Sequence, residues 1–192
     1  MSTFTLEPEL GVAYFKFSES KIDRTVELNP DLNIDLDADG KPVGTVSQSC
    51  DVAALGEATA KLTLAVTNPR LWSVDSPTMY SVKTVLKDGE RILDETLTPA
   101  GFRTLRFDAA SGFYLNDKPL KIQGVCVHQD HAGVGVAMPD AMWEFRVRKL
   151  KEMGVNAMRC SHHPPAAELL QVCDRMGMLV MDEVRNFNTS PE

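Results

Sequence analysis

The sequence predicts an all-β immunoglobulin-like sandwich over residues 1–107, followed over residues 108–192 by the first β/α units, about three strands, of a truncated (β/α)8 barrel. Short β-type runs separated by turn residues fill the first part, without a stretch of helical period. After them, strand and helix patterns alternate with short links, which is typical of a parallel sheet. Only three strands fit there, whereas a complete barrel takes about 250 residues, so we expect the barrel to be incomplete.

The runs of the first part have the pattern of half-buried strands. Residues 12–17 form one such run, and residues 60–66 and 80–86 alternate apolar with polar side chains. Asp88-Gly89 then predicts a tight turn into a hairpin partner at residues 91–97. Several short strands with turn signals over about 100 residues favour a sandwich of the immunoglobulin type.

Two aromatic residues flank the connection rich in Ser, Asp and Pro that precedes the strand at residue 80. We expect Trp72 and Tyr80 to form a corner whose rings plug the sandwich core. The alternative is a platform on which a sugar ring stacks. That alternative is weaker because no second aromatic residue stands at a suitable spacing.

The second part reads as a small hairpin around Asn116-Asp117 and then as strand, helix, strand, helix, strand. The predicted strands cover residues 121–128, 156–162 and 178–183. Pro139 opens the first helix and Pro165 the second, since proline suits the first helical turn. Gly154 and Gly177 end them.

Each predicted strand of the second part ends in polar side chains. They are His128, Asp130 and His131, then Arg159, His162 and His163, and finally Asp182 and Glu183. Parallel strands would bring these ends to one rim, where such folds place their chemistry. Regular alternation puts Arg159 and His162 on opposite faces, so one of them must lie in the bend before Pro164.

Three interpretations of this rim remain open on the residues alone. It binds the hydroxyl groups of a carbohydrate, it holds a hydrolytic metal ion, or its side chains satisfy buried polar groups. The metal site is weaker, because His128 and His131 stand in a predicted loop and Arg159 would repel a cation. Cys160 as a nucleophile would need a positioned base, and a mid-strand cysteine is more often inert.

Composition and charge exclude several classes of protein. The hydrophobic fraction of 43% and charged fraction of 24% are ordinary for a globular chain. A net charge of −7 argues against nucleic acid as a partner. No apolar run approaches the roughly 20 residues of a membrane helix, so no membrane partner is expected. The N-terminus lacks the basic and apolar regions of a signal peptide.

The four cysteines show no paired spacing. Cys50, Cys126, Cys160 and Cys173 form neither a CxxC motif nor a small disulfide framework. We expect buried free thiols, because three of the four stand in apolar strand or helix patterns.

Six blocks of the chain resemble glycoside hydrolase family 2, most closely its β-galactosidases. In the order of that family they are residues 71–80, 101–103, 115–120, 124–128, 156–164 and 173–183. The block Arg159-Cys160-Ser161-His162 is specific, whereas the chain before residue 60 matches in character only. The resemblance implies an intact enzyme that hydrolyses β-glycosides with retention, which needs two carboxyl groups about 5–5.5 Å apart.

The resemblance also implies that neither catalytic carboxylate is present. In the family the acid/base Glu follows an Asn at the end of the fourth barrel strand, and the nucleophile comes later. This chain contains no Asn-Glu dipeptide, and Glu183 matches a third-strand position. We therefore expect a fragment of a β-glycosidase, inactive alone and without a catalytic residue of its own.

The resemblance also implies which residues bind the substrate. His128, Arg159 and His162 match positions around the glycone or the acid/base Glu, and Asp130 is a weaker candidate in the same loop. Cys126 departs from the Asn that is usual there. Residues 184–187 lack the Glu and His that some β-galactosidases use for magnesium, so no metal and no other cofactor is expected.

The expected partner is a β-galactoside or related glycoside in the intact enzyme. The second hypothesis is a stand-alone carbohydrate-binding or interaction module. An unclosed barrel would leave apolar faces and a strand edge unpaired, which predicts self-association or disorder after about residue 120.

Overall fold

The computed structural model describes residues 3–7, 12–16, 26–35, 42–52 and 58–183. The chain forms two compact units. The first comprises residues 1–70 and 79–102, and the second comprises residues 71–78 and 103–192. The boundary predicted between residues 107 and 108 stays a prediction. None of the helices in the described ranges is long and apolar enough to cross a membrane.

The first unit consists of two antiparallel sheets. Its strands are β1 (Thr3–Glu7), β2 (Val12–Lys16), β3 (Val26–Asp35), β4 (Pro42–Ser47), β5 (Cys50–Val52), β6 (Lys61–Thr63), β7 (Tyr80–Asp88) and β8 (Arg91–Ala100). One sheet has the order β1-β2-β6, and the other has the order β4-β3-β7-β8 with β5 paired to β3. The hairpin predicted across Asp88-Gly89 is confirmed as β7 and β8.

The core of the first unit lies between the two sheets. Leu62 of β6 is buried with Tyr80 and Val82 of β7, and side chains of β4 and β8 pack against them. The Tyr80 hydroxyl accepts a hydrogen bond from the Arg70 N–H at 2.7 Å. The expectation that Tyr80 plugs the core is confirmed.

The second unit begins with three antiparallel strands and continues as alternating strands and helices. They are β9 (Leu105–Asp108), β10 (Gly112–Leu115), β11 (Lys118–Pro119), β12 (Gly124–Val127), α1 (Asp140–Glu152), β13 (Ala157–Cys160), α2 (Ala167–Met176) and β14 (Leu179–Met181). The predicted turn at Asn116-Asp117 joins β10 to β11, with positive φ at both residues. Within the described residues no closed barrel is formed.

The parallel sheet predicted from the strand–helix order is confirmed, with the strand order β12-β13-β14. One face of this sheet packs on the helices, and its buried core includes Met158, Trp143, Val147 and Leu169. Because side chains alternate along a strand, the next residues point to the other face. Cys126, Arg159 and Met181 stand in register across that face, which we call the open face.

Trp72 corrects one expectation. It lies in the second unit, not in the core of the first, and its indole N–H donates to the Asp174 carbonyl at the end of α2 at 2.7 Å. The Arg103 guanidinium lies 4.7 Å from the ring centroid of Trp72. Sequence pattern alone could not show this, because a buried aromatic residue fits either core equally well. Residues 71–78, which we call the strap, are thus held on the second unit.

Candidate functional site

The site is built where the three parallel strands end. β12 ends at Val127, β13 at Cys160 and β14 at Met181. Since the strands are parallel and hydrogen-bonded in register, the residues that follow them emerge at one edge of the sheet. His128 follows β12, His162 follows β13, and Glu183 follows β14.

The Glu183 carboxylate joins the ends of β13 and β14. Its Oε1 accepts a hydrogen bond from the Arg159 Nε, and its Oε2 lies 2.8 Å from the His162 Nδ1. The Arg159 Nη2 lies 3.5 Å from the same imidazole nitrogen. The three side chains therefore form one connected polar cluster.

Strand termination explains how Arg159 and His162 reach the same carboxylate. Arg159 lies within β13 and points to the open face, whereas His162 lies in the turn after the strand. The prediction that one of them lies in a bend is confirmed, and that residue is His162. The peptide bond between Ser161 and His162 is cis.

The electrostatics of this cluster favour an ionised carboxylate. The hydrogen bond from His162 and the Arg159 guanidinium hold the pKa of the Glu183 carboxyl below its ordinary value of 4.5. A general acid at neutral pH needs the opposite, a raised pKa. Glu183 is therefore suited to orienting Arg159 and His162, and not to protonating a leaving group.

His128 lies beside this cluster. Its ring centroid is 6.4 Å from that of His162, with the rings at 74° to each other. The backbone after β12 is fixed by Arg146 of α1, whose guanidinium donates to the His128 carbonyl at 2.8 Å and to the Asp130 carbonyl. The sequence does not indicate a role for Arg146 at the site, because an arginine on a helix carries no pattern that singles it out.

The structure places the other polar residues of the rim differently. Asp130 is exposed, and no hydrogen bond or ion pair in the described part of the chain joins its carboxylate to Arg159 or His162. The His131 Nδ1 is 3.0 Å from the Ala132 carbonyl. The His163 side chain is buried, at 6% exposure. Of the four predicted substrate-binding residues, the fold thus gathers His128, Arg159 and His162, and leaves the Asp130 side chain apart.

Cys126 corrects the expectation of buried thiols. Cys160 and Cys173 are buried and Cys50 is half-buried, but Cys126 is exposed on the open face. The Arg159 Nη1 lies 3.8 Å from the Cys126 sulfur. Because Val125 and Val127 pack on the helical core, the alternation of side chains along β12 places Cys126 on the other face. The sequence contains this signal, since Cys126 stands between two valines in a predicted strand.

The arrangement presents donors and acceptors to a polar ligand. Glu183 holds the Arg159 guanidinium and the His162 imidazole at the carboxyl edge of the sheet, and His128 lies next to them. The His162 side chain is 70% exposed, so it is open to a ligand. Fixed N–H donors beside an imidazole suit ring hydroxyls, since polar recognition depends on groups held in place before binding.

Two family models match the chain in succession. One, described as glycosyl hydrolases family 2, matches residues 16–103. The other, described as glycosyl hydrolases family 2, TIM barrel domain, matches residues 108–190.

Similar proteins have related descriptions. The chain is 44% identical over 147 residues to the β-galactosidase BoGH2A of Bacteroides ovatus, covering 77% of this chain and 17% of that protein. It is 40% identical over 126 residues to a β-glucuronidase of Bacteroides fragilis, covering 65% and 18% respectively. A solved structure of a glycosyl hydrolase family 2 member from Bacteroides cellulosilyticus superimposes with a TM-score of 0.82 at 31% identity, covering 96% of this chain and 24% of that one. The chain therefore spans about a fifth of the length of these proteins.

Proposed function

Because the chain belongs to family 2 of the glycosyl hydrolases, we propose that it is part of a retaining β-glycosidase, to which it contributes a substrate-binding rim. The observation that carries this proposal is the convergence of Arg159 and His162 on Glu183. The family match alone would not say which residues meet the sugar, and these contacts are what supports Arg159 and His162 as those residues.

The proposed architecture follows the two matched models. The first unit is an immunoglobulin-like sandwich domain, and β12, β13 and β14 with α1 and α2 are the first β/α units of a (β/α)8 barrel. The barrel assignment is supported by the parallel order of the three strands and by helices packed on a single face. In such a barrel the open face points to the interior, and the strand ends form the catalytic rim.

The proposed roles follow from the contacts. Arg159 and His162 bind hydroxyl groups of the glycone, Glu183 positions them, and His128 completes the same edge. Asp130 is retained as a weaker substrate contact, because Arg146 fixes its backbone and leaves its exposed carboxylate available. The substrate is a β-galactoside or a related glycoside.

The chain alone is proposed to be catalytically inactive. Retaining hydrolysis needs an acid/base carboxyl and a nucleophilic carboxylate about 5–5.5 Å apart. No Asn-Glu dipeptide is present in the sequence, and the carboxyl held in the cluster, Glu183, has a pKa shifted away from acid catalysis. Saturable release of nitrophenol from an aryl β-galactoside by the purified chain, blocked by a covalent β-glycosidase inhibitor, would refute this part.

β-Galactosides are the substrates we favour. The support is the 44% identity to a β-galactosidase, against 40% over a shorter stretch to a β-glucuronidase. A glucuronide carries a carboxylate where a galactoside carries a hydroxyl, so the two are distinguished by charge. Relative rates of the intact enzyme on aryl β-galactoside and aryl β-glucuronide measure the difference.

A chimera tests the proposed function. The aligned segment of the Bacteroides ovatus β-galactosidase is replaced by the matching 147 residues of this chain. We expect the chimera to hydrolyse aryl β-galactosides, and Arg159→Ala or His162→Ala to lower kcat/KM by about 100-fold or more, since each removes a charged or polar contact. Glu152→Ala, on the exposed end of α1, is the matched control. The proposal is overturned if the chimera folds but is inactive, or if neither substitution changes its kcat/KM.

A further inference from the structure

Cys126 combines exposure with a cationic neighbour. It is the third residue of β12, stands in register with Arg159, and is exposed on the open face. The Arg159 Nη1 lies 3.8 Å from its sulfur. A guanidinium at this distance favours the thiolate over the thiol, and the thiolate is the nucleophilic form of cysteine.

A second group points to an acceptor at this position. The Ser161 side chain is only 3% exposed, and in the described part of the chain its hydroxyl has no hydrogen-bond partner. Buried hydroxyl groups normally have one. The Ser161 hydroxyl and the Arg159 guanidinium both favour the thiolate and therefore lower the pKa of the Cys126 thiol.

The other three cysteines lack these conditions. Burial raises the pKa of the Cys50 and Cys160 thiols, and raises that of Cys173 to about 12. Cys160 also lies on the helix-covered face of the sheet, opposite to the face that carries Cys126. Because side chains on opposite faces of a sheet do not meet, Cys160 cannot form a disulfide with Cys126.

We propose that Cys126 is a site of oxidation by hydrogen peroxide, which converts it into a sulfenic acid whose oxygen lies between Arg159 and Ser161. The thiolate sulfur attacks one peroxide oxygen, so that an S–O bond forms as the O–O bond breaks. The sulfur gives up two electrons, and the departing hydroxide takes a proton to become water. The guanidinium N–H and the serine O–H then donate to the new oxygen, and these bonds become stronger when the sulfenic acid loses its proton and becomes a sulfenate.

This site goes beyond carbohydrate binding and does not depend on it. The reacting group is a sulfur that the proposed glycoside rim does not use, and the co-reactant is a peroxide. The 192-residue chain is therefore sufficient for the test, and the result is independent of whether the chain takes part in glycoside hydrolysis.

The test compares the four cysteines of one molecule. The chain is exposed to hydrogen peroxide in the presence of dimedone, which traps sulfenic acids, and the adduct at each cysteine is quantified by mass spectrometry after digestion. We expect the adduct at Cys126 to exceed that at Cys50 by about tenfold or more, since reactivity follows thiolate fraction and exposure. Equal adducts at Cys126 and Cys50, or no adduct at Cys126, overturn the proposal.

Two variants test the geometry. Iodoacetamide alkylation of Cys126 is followed against pH in the wild type, in Ser161→Ala and in Arg159→Gln, with Arg148→Gln as the control. Loss of either donor should move the half-maximal pH upward, and the control should not move it. Unreactive Cys173 reports that the core is intact. If Ser161→Ala and Arg159→Gln both fold and the pH dependence of Cys126 alkylation is unchanged in both, the proposal is contradicted. If a variant exposes Cys173, the comparison of the Cys126 and Cys50 adducts in the wild type decides.

Discussion

The imidazole Nδ1 of His162 lies 2.8 Å from the Oε2 of Glu183, although α2 separates the two residues in the chain. The parallel sheet creates this relationship, because β13 and β14 end at the same edge. Arg159 approaches the other carboxylate oxygen from within β13. One carboxylate thus sets the positions of two side chains that would otherwise diverge.

Glu183 is expected to titrate below the ordinary glutamate pKa of 4.5, because the His162 contact and Arg159 favour its ionised form. A folded-state pKa below the unfolded value gives a stabilising contribution that is complete above the unfolded pKa and is lost as the pH falls through the folded one. Arg159→Gln should raise the Glu183 pKa and make acid unfolding begin at higher pH. The carboxyl carbon shift of Glu183, followed by NMR against pH, measures this.

The control for this titration is Arg148→Gln, which removes an exposed cation of α1 outside the cluster. It should leave the Glu183 midpoint in place. A midpoint that moves equally in both variants would show that net charge, and not the contact with Arg159, sets the pKa.

The close approach of Gly177, just after α2, to the strap predicts that a side chain at this position destabilises the fold. Its φ is +72°, and a Cβ built there would lie 2.3 Å from the Val74 carbonyl oxygen. Gly154 after α1 has a φ of +85° but no atom within 4 Å of such a Cβ. Gly154→Ala should cost about 1–2 kcal/mol for the left-handed backbone, and Gly177→Ala about 1–3 kcal/mol more for the steric conflict.

Urea unfolding of the two glycine variants, followed by circular dichroism, provides the measurement. The difference between them isolates the strap, since both residues follow a helix and both have positive φ. The Trp72 indole N–H and the Lys151 ammonium, which donates to the Val74 carbonyl at 2.8 Å, indicate that the strap is held on the second unit. Equal losses of stability would mean that the strap moves aside without cost and is not held there.

Arg146 is expected to control the mobility of the loop after β12. Its guanidinium donates to the carbonyls of His128 and Asp130, and Arg146→Met removes these bonds while keeping most of the apolar stem. The amide protons of residues 128–136 should then exchange faster by about tenfold, which corresponds to about 1.4 kcal/mol of lost local stability. Arg148→Met is the matched control, and hydrogen exchange read by mass spectrometry distinguishes the two. Equal exchange rates in the two variants would show that Arg146 does not fix the loop after β12.

Much of this architecture follows from local pattern. The period-two run at residues 80–86 predicts β7, and the Asp88-Gly89 turn predicts its hairpin partner β8. The Asn116-Asp117 turn follows from its residues, and the alternation of strand and helix predicts the parallel sheet. These features depend on neighbours in the chain, so a single sequence is enough to predict them. The same reasoning brought the residues that follow the strands to one edge.

What the sequence could not supply were pairings across the fold. The sequence predicts Glu183 as a carboxylate of the rim, but its contacts with Arg159 and His162 depend on where β13 ends and on the turn that follows it. The sequence pattern places Trp72 in the wrong core, because burial of an indole does not indicate which carbonyl accepts the hydrogen bond from its N–H. The Arg146 contacts depend on the position of α1 beside the loop.

The edge of the parallel sheet predicts self-association, which we propose for the isolated chain. Within the described residues no strand pairs with the outer edges of β12 and β14, and Met181 on β14 is 63% exposed. Exposed apolar strand edges are sites of pairing between chains, and a lysine there opposes it. Met181→Lys should therefore raise the dimer dissociation constant by about tenfold or more, as light scattering over a concentration series would show. The control is Met153→Lys, at a methionine that is 74% exposed just beyond α1, and it should leave the dimer dissociation constant unchanged. A wild-type mass that stays monomeric at every concentration would refute the prediction.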